Sequence, residues 1–78
     1  MTLKTMLNVL GETRYRITAC EVKTGDYETI ELDYGGDLAK FSDALRIRTT
    51  WTARKNRVEY VRYNNAAECI EIRVDLLD

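Results

Sequence analysis

The chain reads as a small α+β domain: an antiparallel sheet of about five strands with two short helices, in the order α-β-β-α-β-β-β. Three observations predict it. Two segments carry apolar residues at helical spacing, several others show the alternation of half-buried strands, and glycine or asparagine marks the joins. The 78 residues, 45% hydrophobic and 32% charged, have the composition of one globular domain spanning residues 1–78.

Residues 2–10 predict the first helix. Thr2 is a suitable N-cap, and Leu3, Met6, Leu7 and Leu10 fall at i, i+3, i+4 and i+7, one apolar stripe. Gly11 ends the helix by tolerating positive φ. So short a helix is marginal alone, and its stripe requires a sheet to pack against. Residues 14–22 form the first strand, with Tyr15, Ile17 and Ala19 on one parity. Cys20 and Val22 continue the apolar character on the other parity, which implies burial on both sides or a bulge. Lys23-Thr24-Gly25-Asp26 is a turn with Gly25 at positive φ. Residues 28–34 return as a strand with Ile30, Leu32 and Tyr34 inward and Glu31 and Asp33 outward, a hairpin with an acidic outer face.

Gly35-Gly36 breaks that strand, and Asp37 caps a second helix over 38–45, with Leu38, Phe41 and Leu45 on its apolar side. Residues 46–54 then alternate: Ile47, Thr49, Trp51 and Ala53 on one parity, Arg46, Arg48, Thr50, Thr52 and Arg54 on the other. That pattern predicts a third strand with an arginine face. A two-residue turn follows, either Lys55-Asn56 or Asn56-Arg57, and the second is preferred because it sets Arg54 opposite Glu59. The next strand carries Val58 and Tyr60 on the face of Trp51 and Ala53. Residues 68–76 are the most regular strand, Ile70, Ile72, Val74 and Leu76 alternating with Glu71, Arg73 and Asp75. For Ile70 and Ile72 to join the face of Val58 and Tyr60, the connection through Asn64-Asn65 must contain an odd number of residues. An even one sets Glu71 and Arg73 against that face.

Charge is sorted along the chain. Residues 21–43 hold seven carboxylates against two lysines, a net charge of −5, and residues 44–63 hold six basic residues against Glu59, a net charge of +5. The overall charge of −1 conceals both blocks, which predict one surface pole of each sign.

The chemistry of catalysis is missing from the sequence. There is no histidine, and Ser42, the only serine, has no base beside it in its helix. A Ser-His-Asp or Cys-His arrangement is therefore impossible. Glu31 and Asp33 share a strand face, but acidic alternation on a strand is ordinarily its solvated side. The acidic run lacks the Asp-x-Asp-x-Asp-Gly loop and terminal glutamate of a calcium site, and two cysteines without histidine do not make a structural zinc site. Cys20 and Cys69 read as two small buried hydrophobes in a reducing compartment. Asp37 would occupy the helix donors that Gly35-Gly36 would otherwise offer a phosphate. No cofactor is expected, and the chain reads as a non-enzyme. No apolar run approaches the roughly 20 residues of a membrane span, and the N-terminus lacks a long apolar signal core, so a cytoplasmic location is expected.

Two binding faces remain. One is the acidic hairpin, with Glu28, Glu31 and Asp33 facing an arginine-rich groove on another protein. The other is the basic strand, with Arg46, Arg48 and Arg54, and Arg57 nearby, facing a partner or nucleic-acid phosphates. The acidic sequence pI of about 5.4 weighs against nucleic acid. The plain alternative is that the arginines pair with the protein's own acidic hairpin.

Thr2-Leu3-Lys4 with Met6, Leu7 and Leu10, followed by a charged hairpin and a closing strand Cys69-Ile70-Glu71-Ile72-Arg73-Val74, resembles a diffuse group of short proteins encoded by bacteriophages and mobile elements. The similarity covers the first quarter and last tenth of the chain; residues 46–63, with Trp51, are richer in arginine than that group. The resemblance implies a non-enzymatic accessory protein. Small α+β phage proteins of this kind include anti-CRISPR inhibitors, which block a nuclease's nucleic-acid channel or its assembly. The expected function is thus a protein-binding module inhibiting a host defence nuclease. A small nucleic-acid-binding protein and a self-assembling homo-oligomer whose opposite poles meet are the alternatives.

Overall fold

The first helix, α1 (Leu3–Leu10), forms for the reasons its sequence states. The Thr5 N–H donates to the Thr2 side-chain oxygen at 3.3 Å, and Gly11, at φ +76°, closes the other end by donating to the Leu7 carbonyl at 3.0 Å. Leu3 is fully buried, while Met6, Leu7 and Leu10 pack half-buried against the core. The computed structural model describes residues 1–11, 13–33 and 41–78, with the side chains of 41–43 excepted.

Four strands follow: β1 (Arg14–Glu21), β2 (Tyr27–Asp33), β3 (Asn56–Asn64) and β4 (Cys69–Leu76). Their order in the sheet is β2-β1-β4-β3. β1–β2 and β3–β4 are antiparallel hairpins, and their inner strands β1 and β4 run parallel. The sheet is therefore mixed, where an antiparallel one was expected. Alternation encodes which face a residue takes and says nothing of strand direction. Gly25 takes positive φ (+78°) in the β1–β2 turn, as expected.

One face of the sheet is apolar: Tyr15, Ile17 and Ala19 from β1, Ile30 and Leu32 from β2, and Ile72, Val74 and Leu76 from β4 are all buried. Cys20 takes the opposite face of an unbroken β1–β2 register, and Val22 lies beyond the strand and is exposed, so no bulge is needed there.

The expected strand over 46–54 is the main correction, and it reduces five strands to four. These residues end a helix, α2 (Phe41–Arg46), and continue it as a π-helical turn, Ile47–Trp51. Ile47 and Trp51 are both buried. Their spacing of four is even, so it satisfies strand parity and helical periodicity alike. The segment takes the helical alternative, and its threonines bond back along it. The Thr49 hydroxyl donates to the Leu45 carbonyl at 2.8 Å, the Thr52 hydroxyl donates to the Arg48 carbonyl, and the Thr52 N–H reaches back to Ile47 O at 3.0 Å. Tyr34, Gly35-Gly36 and the Asp37 cap lie outside the described residues.

The Asn56-Arg57 turn is also absent, because Asn56 begins β3. Its side chain is a clasp instead. It accepts from the Leu3 N–H at 2.8 Å and donates to the carbonyls of Arg54 at 2.7 Å and Trp51 at 3.3 Å. Three elements are tied by one amide. The β3–β4 connection has four residues, 65–68, with Glu68 at φ +52°. As an even connection demands, Tyr60 and Arg62 face Arg73 and Glu71. A bulge at Glu59 then returns Val58 to a position opposite Val74.

Both thiols are free, Cys20 half-buried and Cys69 buried. Cys20 is opposite Asp75, six positions along β4 from Cys69, which at strand rise is about 20 Å and far beyond disulfide reach. Among the described residues no helix is long and apolar enough to cross a membrane.

Candidate functional site

The face of the sheet without helices carries alternating charge across its strands. One row runs Glu31, Arg16, Glu71, Arg62 from β2 to β3. Arg16 lies 3.1 Å from Glu31, and Arg62 lies 3.4 Å from Glu71. Beside this row Arg14 meets Asp33 at 3.3 Å, and the Thr18 and Thr29 hydroxyls meet at 2.9 Å. Further along, Arg57 reaches Asp75 at 3.4 Å and Arg73 reaches it at 3.7 Å, and Asp75 is the buried member of this group. A hydrogen bond from Asn64 holds the Glu71 carboxyl below its usual pKa, with the nearby charges of Arg62 and Arg16 assisting and burial opposing.

A second set of ion pairs joins the acidic and basic blocks. Arg46 contacts Glu28 at 2.5 Å with its guanidinium 6.0 Å from the Trp51 ring centre. Arg54 grips Glu21 through both terminal nitrogens, at 2.5 and 3.0 Å, and Asp78 through Nε at 2.8 Å. Those hydrogen bonds depress the Glu21 and Asp78 carboxyls and raise the Arg54 guanidinium.

The two expected binding faces do not assemble. Glu31 and Asp33 lie on the open face of β2, whereas Glu28 shares the parity of Ile30 and Leu32 and meets Arg46. Each of the three has an arginine within 3.3 Å. Arg46, Arg48 and Arg54 do not line a strand: Arg46 ends α2, Arg48 lies in the π-helical turn, and Arg54 sits in the bend that follows. Arg46, Arg54 and Arg57 are paired with carboxylates; Arg48 forms no ion pair with any described residue. Two separate poles are thus replaced by a surface that largely neutralises itself.

Of the large apolar side chains that stay exposed, three gather on β3, while Val9, Val22, Tyr27 and Leu45 are scattered elsewhere. Along the outer edge of β3, Tyr60, Val61 and Tyr63 are 41%, 37% and 60% exposed. The Arg62 guanidinium stacks 5.2 Å from the Tyr60 ring centre. Val61 and Tyr63 stand opposite Ile72 and Ile70 on the helix side of the sheet; Tyr60 and Arg62 occupy the other side. Among the described residues, only the start of this edge is occupied, where the Val58 N–H donates to the Met1 carbonyl at 2.8 Å. The sequence places Val58 and Tyr60 together on the buried face; Val58 packs against the core, but Tyr60 is exposed. The available signal was a β-prone run with large side chains on both parities, which one buried face does not need.

Among the described residues, no group of three or more cysteines and carboxylates is placed to hold a metal ion. No protein-family model matches the chain, and no curated protein or solved structure matches it either.

Proposed function

We propose that the chain is a non-enzymatic protein-binding module that takes an extended segment of a partner along the outer edge of β3. The observation that carries this reading is the exposure of Tyr60, Val61 and Tyr63 on an edge strand in a molecule whose arginines and carboxylates are mostly paired with one another. An edge strand offers unpaired backbone groups to another chain. Native edges are commonly blunted by charge and bulges, and here Arg57, Glu59 and the bulge do so only for the first half of β3. Tyrosine and arginine also dominate interface energetics, since they bury large area while keeping a polar end. The matching segment carries apolar side chains on the parity facing Val61 and Tyr63, and polar or acidic ones on the parity facing Tyr60 and Arg62.

A host defence nuclease in the host cytoplasm, as the phage-protein resemblance implies, is the specific form of this proposal. Recovery of such a nuclease from host lysate on the immobilised wild-type chain, with about tenfold or greater loss for Tyr60→Ala/Tyr63→Ala, is the expected result. Arg14→Ala/Asp33→Ala, which removes an exposed pair on the opposite edge, leaves recovery unchanged. Equal recovery by the tyrosine variant overturns the β3 reading.

A further inference from the structure

Seven of the eight arginines lie within 4 Å of a carboxylate: Arg14, Arg16, Arg46, Arg54, Arg57, Arg62 and Arg73. Among the described residues Arg48 is the exception. It lines a groove of about 410 Å³ between α1 and the π-helical turn, and the other cation in that groove, Lys4, also forms no ion pair with a described residue. Leu7, Asn8, Thr52 and Ala53 also line it, and none of its described lining residues is a carboxylate. Elsewhere the fold meets each guanidinium with an acid; here it sets two cations on one concavity with no counter-charge among the described residues.

The local structure explains how they converge. Lys4, Leu7 and Asn8 are spaced i, i+3 and i+4, so they share one face of α1. Arg48 and Thr52 are four apart across the π-helical turn, and the Thr52 hydroxyl is committed to the Arg48 carbonyl. The Asn56 clasp fixes the two elements to one another through Leu3 and Trp51. The groove is therefore walled by elements held in register and offers a guanidinium fork, an ammonium and a side-chain amide, while Leu7 and Ala53 give it an apolar part.

We infer that this groove binds a phosphate group, with Arg48 and Lys4 as its charge partners and Asn8 as a neutral donor. A planar guanidinium meets two phosphate oxygens at once, and an ammonium serves the third as a point charge. Two cations without an acid repel each other, and an anion between them converts that repulsion into attraction. None of the described lining residues belongs to β3, and the site does not depend on the role of that edge. Phosphate reaches such a site either as a discrete ligand or as part of a nucleic-acid backbone, so both are offered as probes.

Titrating ¹⁵N-labelled protein with pyrophosphate, and separately with a ten-residue oligothymidylate, tests the site by amide chemical shifts. The expected result is saturable shifts confined to residues 4–8 and 48–53, weakened about tenfold by Arg48→Ala and by Lys4→Ala, and less by Arg48→Lys. Lys23→Ala, in the β1–β2 turn, is the control and leaves the response unchanged. Saturation by pyrophosphate alone supports a discrete phosphate ligand. Saturation by both probes supports the same site with a backbone source, and its affinity then falls steeply with salt. Shifts spread evenly over Lys23 and Lys55, an unchanged response in Arg48→Ala, or no response to either probe overturns the inference. Unaltered far-UV circular dichroism of both alanine variants shows that the fold is intact.

Discussion

The two edges of the sheet are built from strands of similar length and end up with opposite character. β2 presents Glu28, Glu31 and Asp33, each held by an arginine of α2 or β1, and its Thr29 is bonded across to Thr18. β3 presents Tyr60, Val61 and Tyr63 with nothing described over them. The acidic edge looks conspicuous in the sequence and is largely satisfied within the molecule. The aromatic edge looks like ordinary strand and is left open. Exposed ion pairs contribute only about 0–1 kcal/mol each, so paired charges keep an edge solvated without making it sticky, whereas exposed aromatic area is what association can bury.

Both edges hang on one core, so the largest effect comes from damaging it. Trp51→Ala removes a buried aromatic from the π-helical turn and is expected to cost about 3–5 kcal/mol in urea unfolding, loosening both edges together. A loss below about 1 kcal/mol is the outcome inconsistent with Trp51 as a core anchor.

Asn56→Ala separates the edges. It strands the Leu3 N–H and removes two donors to backbone carbonyls, at an expected cost of about 1–3 kcal/mol. Hydrogen exchange is then faster in β3 and α1 than in β2; equal acceleration in β1 and β2 contradicts a local clasp. Asn56→Asp keeps the acceptor for Leu3 but sets a carboxylate oxygen against the Arg54 and Trp51 carbonyls, so it recovers none of the loss.

The smallest effect is a pH dependence. Glu21 and Asp78, held by Arg54, have folded pKa values below their usual 4.5 and 3.8. Their contribution to stability is present above those values and is lost as the pH falls through the lower folded ones. Arg54→Ala therefore flattens the acid limb of the stability profile below about pH 4.5 and leaves the β2 pairs untouched. An acid limb as steep as the wild type's removes Arg54 as its cause.

Much of the fold was legible. The α1 stripe with its Thr2 and Gly11 caps, the Gly25 turn, and the inward sets of β1, β2 and β4 all follow from local periodicity and turn chemistry, which neighbours in sequence decide. The candidate site was hardly legible. Arg48 was named among the basic residues, but nothing in the sequence distinguishes it from Arg46, Arg54 and Arg57. Glu28, Glu31 and Asp33 give no sign that arginines 15 to 19 positions away will meet them.

The sequence by itself determined the faces: which side chains leave water, where helices are capped, where the chain must turn. Tertiary structure alone decided direction, partnership and residual exposure. It ran β1 parallel to β4, turned an alternating arginine segment into a π-helical turn, matched acids to bases across strands, and left one edge and one groove unmatched. The physical reason is that burial is a property of each residue's spacing, while pairing depends on which distant strand arrives beside it and in which register.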